Sequence, residues 1–355
     1  MSTDVQISKF QLAALIMGFV FGSTAIMNPV TAVSQDAWLS YLLGWAAGFV
    51  LLGIYIAISL RHPGKTLIEI LFVSFGQYLG RIIALYYIWY FIHLAALVLR
   101  VYGEFFVTAV YPETPIIFLL ICFTIVIIYF IKSGLEVMGR VSELFVPVIL
   151  IQVILLSLLL LPSYDTNNFF PVMEKGFKPV FDAAVAVLSF PFGEVVIFLM
   201  VFPFLNKQRD LLKTGFLSLL IIGLVLLITT VRDLLVLGAD IYSRYSFPPE
   251  ISARLVHAVG LHPIIDINLL FGGLVKMGVC LYAAVMGITQ LFNLKNYQPF
   301  VLPLASVTVA LSIWLYDNFL GMLPFVYIYI YYALLPLQFT IPVIILIISL
   351  LRRNQ

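Results

Sequence analysis

Charge is what this 355-residue chain has least of: Asp, Glu, Lys and Arg make up 10% of it and apolar residues 63%. A soluble domain carries about a quarter charged residues, so the composition excludes one and puts the chain in a membrane. The formal net charge of +2 is spread over the whole length, which excludes a basic stripe for nucleic acid and an acidic tail. Two cysteines, Cys122 and Cys280, both inside apolar runs, provide no disulfide framework and are expected to be small buried hydrophobes. The four histidines are scattered, without Cys or acidic partners at ligand spacing, so no metal site is expected, and His93 reads as a hydrogen-bonded core residue. No nucleophile motif, phosphate loop or Gly-rich dinucleotide fingerprint stands in a matching context, so neither an enzyme nor a cofactor is expected. Asp4 and Lys9 precede an apolar segment with no small-residue cleavage site, which reads as a first span and not a cleaved signal peptide.

What the chain has in abundance is apolar runs of about 17 to 25 residues, the length that crosses a bilayer as a helix. Bounded by charges and Pro/Gly clusters, they predict ten spans: 10–31, 37–60, 78–104, 115–131, 144–161, 181–204, 214–239, 266–293, 300–316 and 325–351. With a cytoplasmic N-terminus, the inner connections collect most of the Lys and Arg, among them Arg61, Lys65, Arg81, Lys207, Arg209, Arg352 and Arg353. The outer connections around 34–37 and 110–114 contain neither. The positive-inside rule therefore places both termini in the cytoplasm.

Two spans carry interruptions near their middles. The first holds Gly18-Phe19-Val20-Phe21-Gly22-Ser23-Thr24, and the sixth holds Ser189-Phe190-Pro191-Phe192-Gly193-Glu194. Proline lacks a backbone donor, and an unsatisfied backbone group in hydrocarbon costs several kcal/mol, so such a break survives only where protein or a polar cavity takes up the freed groups. Extra amphipathic segments follow the second and seventh spans, at Thr66 to Phe75 and Pro249 to Val259. Matching irregularities five spans apart predict an inverted repeat, 10–161 against 181–351, within a single membrane domain over 1–355. Gly18 and Gly22 also fit a helix-packing motif, and the two readings coexist.

The free N-H groups near Ser23 and Thr24 suit a carboxylate, and the carbonyl ends near Phe21, Ser189 and Phe190 suit an ammonium. Together they match the two ends of a free α-amino acid, with Phe190 and Phe192 as apolar wall. The candidate ligand-binding residues are Gly22, Ser23, Thr24, Ser189, Phe190, Pro191, Phe192, Gly193 and Glu194. Lys276 lies about 15 Å into the eighth span at 1.5 Å per residue, too deep to snorkel, and must find carbonyls or a carboxylate. Lys276 and Glu194 are the candidates for a cation or proton site, against a purely structural link between them. Arg100 with Glu104, Arg232 with Asp233, and Asp266 read as interfacial charges.

The chain resembles the permease-like B subunits of GerA-type spore germinant receptors, in the amino acid-polyamine-organocation transporter superfamily. The resemblance runs from Ile7 to Arg353 and rests on Gly22-Ser23 followed by Asn28-Pro29, His62-Pro63-Gly64-Lys65-Thr66-Leu67-Ile68-Glu69, Thr114-Pro115, the Ser189 to Glu194 break, and Phe247-Pro248 leading toward Asp266. It implies an all-α, LeuT-like fold of ten spans with helices 1 and 6 broken. It also implies an amino-acid-like germinant bound at the breaks, assembly with A and C subunits, and residence among the lipids of the inner membrane of a spore. The alternative is a stand-alone proton-coupled amino acid transporter using the same site. A scaffold without a ligand is the third class.

Overall fold

The computed structural model describes residues 5–26, 29–245, 247–256, 262–315, 321 and 335–352, and among them every regular element is a helix. In chain order these are α1 (Lys9–Phe21), α2 (Ala37–Arg61), α3 (Leu67–Ala109), α4 (Ile116–Lys132), α5 (Leu135–Leu159), α6 (Phe177–Val187), α7 (Leu211–Arg244), α8 (Pro248–Arg254), α9 (His262–Leu291), α10 (Gln298–Trp314) and α11 (Ile341–Arg352). A wide turn over Leu188–Phe192 and a tight helix over Gly193–Met200 prolong α6, and a wide turn over Pro336–Thr340 leads into α11. Among the described residues, six helical stretches are long and apolar enough to cross a membrane: Val33–Arg61, Leu67–Ala109, Leu135–Leu159, Phe177–Met200, Gln208–Arg244 and Leu269–Leu291. Lys9–Phe21, Ile116–Lys132, Gln298–Trp314 and Pro336–Arg352 are shorter apolar helices. The protein is a multi-pass membrane protein.

The elements follow from local chemistry. Ser8 and Gln11 form a capping box that starts α1, and Thr66 with Glu69 forms another that starts α3. Gly76, at φ 77°, interrupts α3, so the segment 67–75 is set off from the span beginning at 77, where the sequence places an amphipathic segment before a span. Gly238, at φ 75°, does the same in α7, and Pro248 then starts the short α8. The first predicted span, 10–31, is regular helix only to Phe21, because Gly22 ends it and short turns over Ser23–Ala25 and Thr31–Asp36 follow; α5 begins at Leu135 and not at 144. Its first turns carry Glu136 and Arg140, paired at 3.6 Å and exposed, so the helix extends ahead of the apolar run on which the expectation rested. The part of the last predicted span before Leu335 lies outside the described residues, as do Met27 and Asn28 after the first break.

The core lies where α1, α6 and its continuation, α3 and α9 meet. Residues 195–202 of the α6 continuation are buried on every side, as are most residues from 274 to 286 of α9. A helix that is apolar all round belongs at the centre of a bundle, whereas α4 leaves Phe118, Ile125 and Tyr129 at least 60% exposed on its outer face. The two interrupted helices are also fastened at one end. Ile7 donates its N-H to Phe204 (2.9 Å) and accepts from Asn206 (3.0 Å), tying the start of α1 to the far end of the α6 continuation.

Cys280 is buried as expected, but Cys122 is exposed on the outer face of α4. Arg232 and Asp233 are buried within the protein, 2% and 0% exposed, and pair at 2.7 Å. A desolvated carboxylate survives inside because the adjacent guanidinium neutralises it. Arg100 and Glu104 pair at 2.6 Å, with Arg100 also donating to the carbonyl of Ser312 on α10. His93 is buried against Trp89.

Candidate functional site

The first break sits at Gly22. Its N-H still donates to Gly18 (2.9 Å), but its own φ of −8° and ψ of −114° end α1, and a single short turn over Ser23–Ala25 follows. Only glycine fits there. A Cβ on Gly22 would lie 2.7 Å from both Cβ and Cδ of Lys276, so the lysine stem crosses directly over the break. The freed carbonyl of Gly22 accepts from Tyr102 Oη on α3 (3.2 Å), which also donates to Leu269 on α9 (2.7 Å). Ser23 and Thr24 are 2% and 5% exposed, and their hydroxyls have no hydrogen-bond partner among the described residues. Elsewhere buried hydroxyls such as Ser142, Thr229, Thr289 and Thr308 bond back to the carbonyl four residues earlier. Thr24 instead lines a cavity of 10 Å³ with Tyr41, Leu226, Thr229, Thr230 and Pro249. That is room for about one water molecule.

The second break centres on Phe190, whose φ of −128° and ψ of 110° are extended, next to Pro191, which has no N-H to continue the ladder. Ser189 does not face the first break: its hydroxyl donates to Gln338 Oε1 (2.8 Å). The carbonyl of Gly193 accepts from Tyr55 Oη (3.2 Å). Phe192 packs edge-on against Tyr41 and beneath Gly48 of α2, while Phe190 turns its ring toward Lys276.

Glu194 joins the two breaks. Its Oε2 lies 2.5 Å from Lys276 Nζ, and the two side chains are 2% and 0% exposed. The rings of Phe190 and Phe19 flank the ammonium, their centroids 4.5 and 5.2 Å from Nζ. One lysine on α9 thus packs its stem on the α1 break, binds its head to the carboxylate after the α6 break, and lies against an aromatic ring from each interrupted helix. Desolvating both charges is repaid only by close pairing, and the ring quadrupoles supply what solvation the ammonium retains.

Gly22, Phe190, Glu194 and Lys276 are therefore together. Ser23 and Thr24 stand on the far side of the α1 break, and Ser189 and Gly193 face the last helix. Tyr55 and Tyr102 meet carbonyls at the breaks, Gln338 holds the Ser189 hydroxyl, and all three were missed in the sequence. The chain has 19 tyrosines with nothing to separate these two from the rest. Gln338 did leave a signal, as a lone amide in the apolar run of the last span, and amides at membrane depth act as interhelical ties. Among the described residues no group of His, Cys, Asp and Glu is placed to hold a metal ion.

A family model described as spore germination protein, the spore permeases, matches residues 6–319. The chain is 32% identical to spore germination protein KB of Bacillus subtilis (strain 168), over 99% of this chain and 96% of that one. It is 25% identical to spore germination protein YndE of the same organism, over 83% of each chain. Solved structures share the fold at low identity. MhsT in complex with L-phenylalanine has a TM-score of 0.62 at 15% identity, covering 95% of this chain and 87% of that one. A nucleobase-cation-symport-1 family transporter in a closed conformation, with bromovinylhydantoin bound, has 0.67 at 13%, covering 94% and 77%. A substrate-bound, outward-open Na+-coupled sialic acid symporter has 0.67 at 10%, covering 93% and 80%. A bundle of apolar helices with a closed polar knot at two breaks, a family match across most of the chain and a transporter architecture agree: the chain belongs to the spore germination protein family of spore permeases, the B-subunit class of GerA-type germinant receptors.

Proposed function

We propose that this protein is the B subunit of a spore germinant receptor, that it binds an amino-acid-type germinant at the paired breaks, and that binding signals to A and C subunits. The supporting observation is the Lys276–Glu194 pair, which joins the two breaks through one buried contact of 2.5 Å. A carboxylate arriving beyond Gly22 meets the N-H groups of the short turn Ser23–Ala25. The ligand ammonium competes with Lys276 for Glu194 and the nearby carbonyls. Ligand binding thereby loosens the tie between the interrupted helices, which is a differential contact of the kind that shifts a conformational equilibrium. In this reading a proton leaves Lys276 or reaches Glu194 when the ligand binds, and no other cofactor takes part.

Ten spans in two inverted halves, 10–161 and 181–351 of a single membrane domain, fit the architecture. Helices at corresponding positions are broken, and the short segments 67–75 and Pro248–Arg254 fall at corresponding places. The termini then lie in the cytoplasm and the protein in the spore inner membrane. A stand-alone proton-coupled amino acid transporter is the second reading, favoured by the fold shared with solved transporters.

The deciding experiment places the purified protein in proteoliposomes with each proteinogenic amino acid in labelled form. The receptor reading expects saturable binding without accumulation, and copurification of partner membrane proteins from spores. Accumulation driven by a pH gradient selects the transporter. Lys276→Met is expected to abolish the pH dependence of binding; an unchanged profile rejects the coupled proton.

A further inference from the structure

The last helix takes no part in the Lys276–Glu194 knot, yet it holds the other side of the α6 break. Gln338, 0% exposed, accepts from Ser189 Oγ through Oε1 (2.8 Å) and donates through Nε2 to Tyr90 Oη (3.1 Å). Its backbone carbonyl accepts from Tyr55 Oη (2.6 Å), the same hydroxyl that reaches the carbonyl of Gly193. Tyr87 Oη donates to Leu337 (2.6 Å). There is no slack in this contact, because a Cβ on Gly193 would fall 2.3 Å from Gln338 Oε1. On this face the amide of the last helix holds the Ser189 side chain, and Tyr55 of α2 holds the carbonyl of Gly193.

The other end of the same helix is also pinned. His62, at the end of α2, hydrogen-bonds Ser349 Oγ (2.7 Å), and Arg352 donates to the carbonyls of Val73 and Ser74, just before the Gly76 interruption of α3. From Gln338 to Ser349 is about 16 Å at 1.5 Å per residue. Gln338 stands in the wide turn that leads into α11, and the regular helix Ile341–Arg352 carries a shift of that turn to its far end.

We propose that Gln338 is a positioning residue that clamps the α6 break to the last helix, and that α11 transmits rearrangement of the break to its far end at His62, Val73 and Ser74. This rests on the reading of the breaks as the ligand site, and it concerns a face of the break that the ligand does not touch. Loss of the clamp frees α11 locally while the Lys276–Glu194 pair persists.

The test is amide hydrogen exchange on the full chain in lipid nanodiscs, comparing residues 341–352 with α4 as an internal reference. Gln338→Leu removes two hydrogen bonds, and exchange over 341–352 is expected to rise about five- to thirty-fold while α4 is unchanged. Gly193→Ala presses on the amide and is expected to raise the same segment. In a Gln338→Ala background, Gly193→Ala is expected to add much less than it does alone, because only the Leu188 carbonyl at 3.0 Å is left for the new methyl to meet. Unchanged exchange over 341–352 in a folded Gln338→Leu protein, or additive effects of the two alanine substitutions, overturns the clamp. A mixture of the proteinogenic L-amino acids separates the two readings. Protection at residues 188–194 without a change at 341–352 overturns transmission. No change at either segment, with the variants behaving as expected, leaves the clamp standing and removes the amino acid reading.

Discussion

Lys276 shows how a single side chain can organise a site. Its depth is legible in the sequence because an ammonium so far along an apolar run has no route to water, and the same argument singles out Glu194. The sequence leaves open whether Lys276 meets Glu194 or only backbone carbonyls, and the structure pairs the two. What is not legible is the steric half of the arrangement: Gly22 reads equally as a packing glycine, and only the 2.7 Å approach of the Lys276 stem shows what it makes room for. The tyrosines that cap freed carbonyls are invisible for a different reason. A phenol buried among apolar side chains satisfies its hydroxyl through tertiary contacts that no local pattern encodes. The pair itself makes a quantitative prediction. Glu194→Gln or Lys276→Met alone strands a buried charge and is expected to destabilise the protein by about 3–5 kcal/mol. The double variant Glu194→Gln/Lys276→Met is expected to recover most of that loss, since it strands nothing. Thermal unfolding of all four proteins in one detergent measures the coupling; additive losses would show that the two side chains do not act as a pair.

At the scale of elements, positions were read well where the signal was apolar length and poorly where it was local capping. The interruption of α3 by Gly76 and the short α8 fall where Pro, Gly and charge clusters put them, whereas the start of α5 precedes its apolar run because Glu136 and Arg140 pair on an exposed face. The last helix depends on the connection after α2. Burial, reinforced by Lys65, Arg352 and Arg61, holds the His62 pKa below the ordinary histidine value. The ring is neutral at pH 7 and joined to Ser349. The unfolded chain takes up this proton first as the pH falls, so the folded state loses stability from about 6.5 downward through the lowered folded value, and titration of this group costs nothing above that window. The melting temperature is expected to fall between pH 7 and 5, and His62→Gln, which cannot titrate, is expected to flatten this fall. An equally steep fall in the variant would assign the effect to another group.

For the whole molecule, the fold is shared with a Na+-coupled sialic acid symporter, while this chain carries a fixed cation of its own at the breaks. Cations in folds with paired broken helices are held by unwound carbonyls and half-helix ends. Here a covalently tethered ammonium crosses the α1 break and ends on Glu194, flanked by Phe19 and Phe190. A free sodium ion entering beside it would meet like charge at a few ångströms in a low-dielectric interior, which disfavours double occupancy. The fixed cation also holds the interrupted helices together. The expected outcome is that amino acid binding to the purified chain is unchanged when sodium is replaced by choline at constant ionic strength. In Lys276→Ala, where the tethered charge is gone and Glu194 remains, a sodium dependence is expected to appear. Isothermal titration in both salts checks the two proteins side by side, and sodium-dependent binding in the unaltered chain would show that Lys276 does not stand in for the ion.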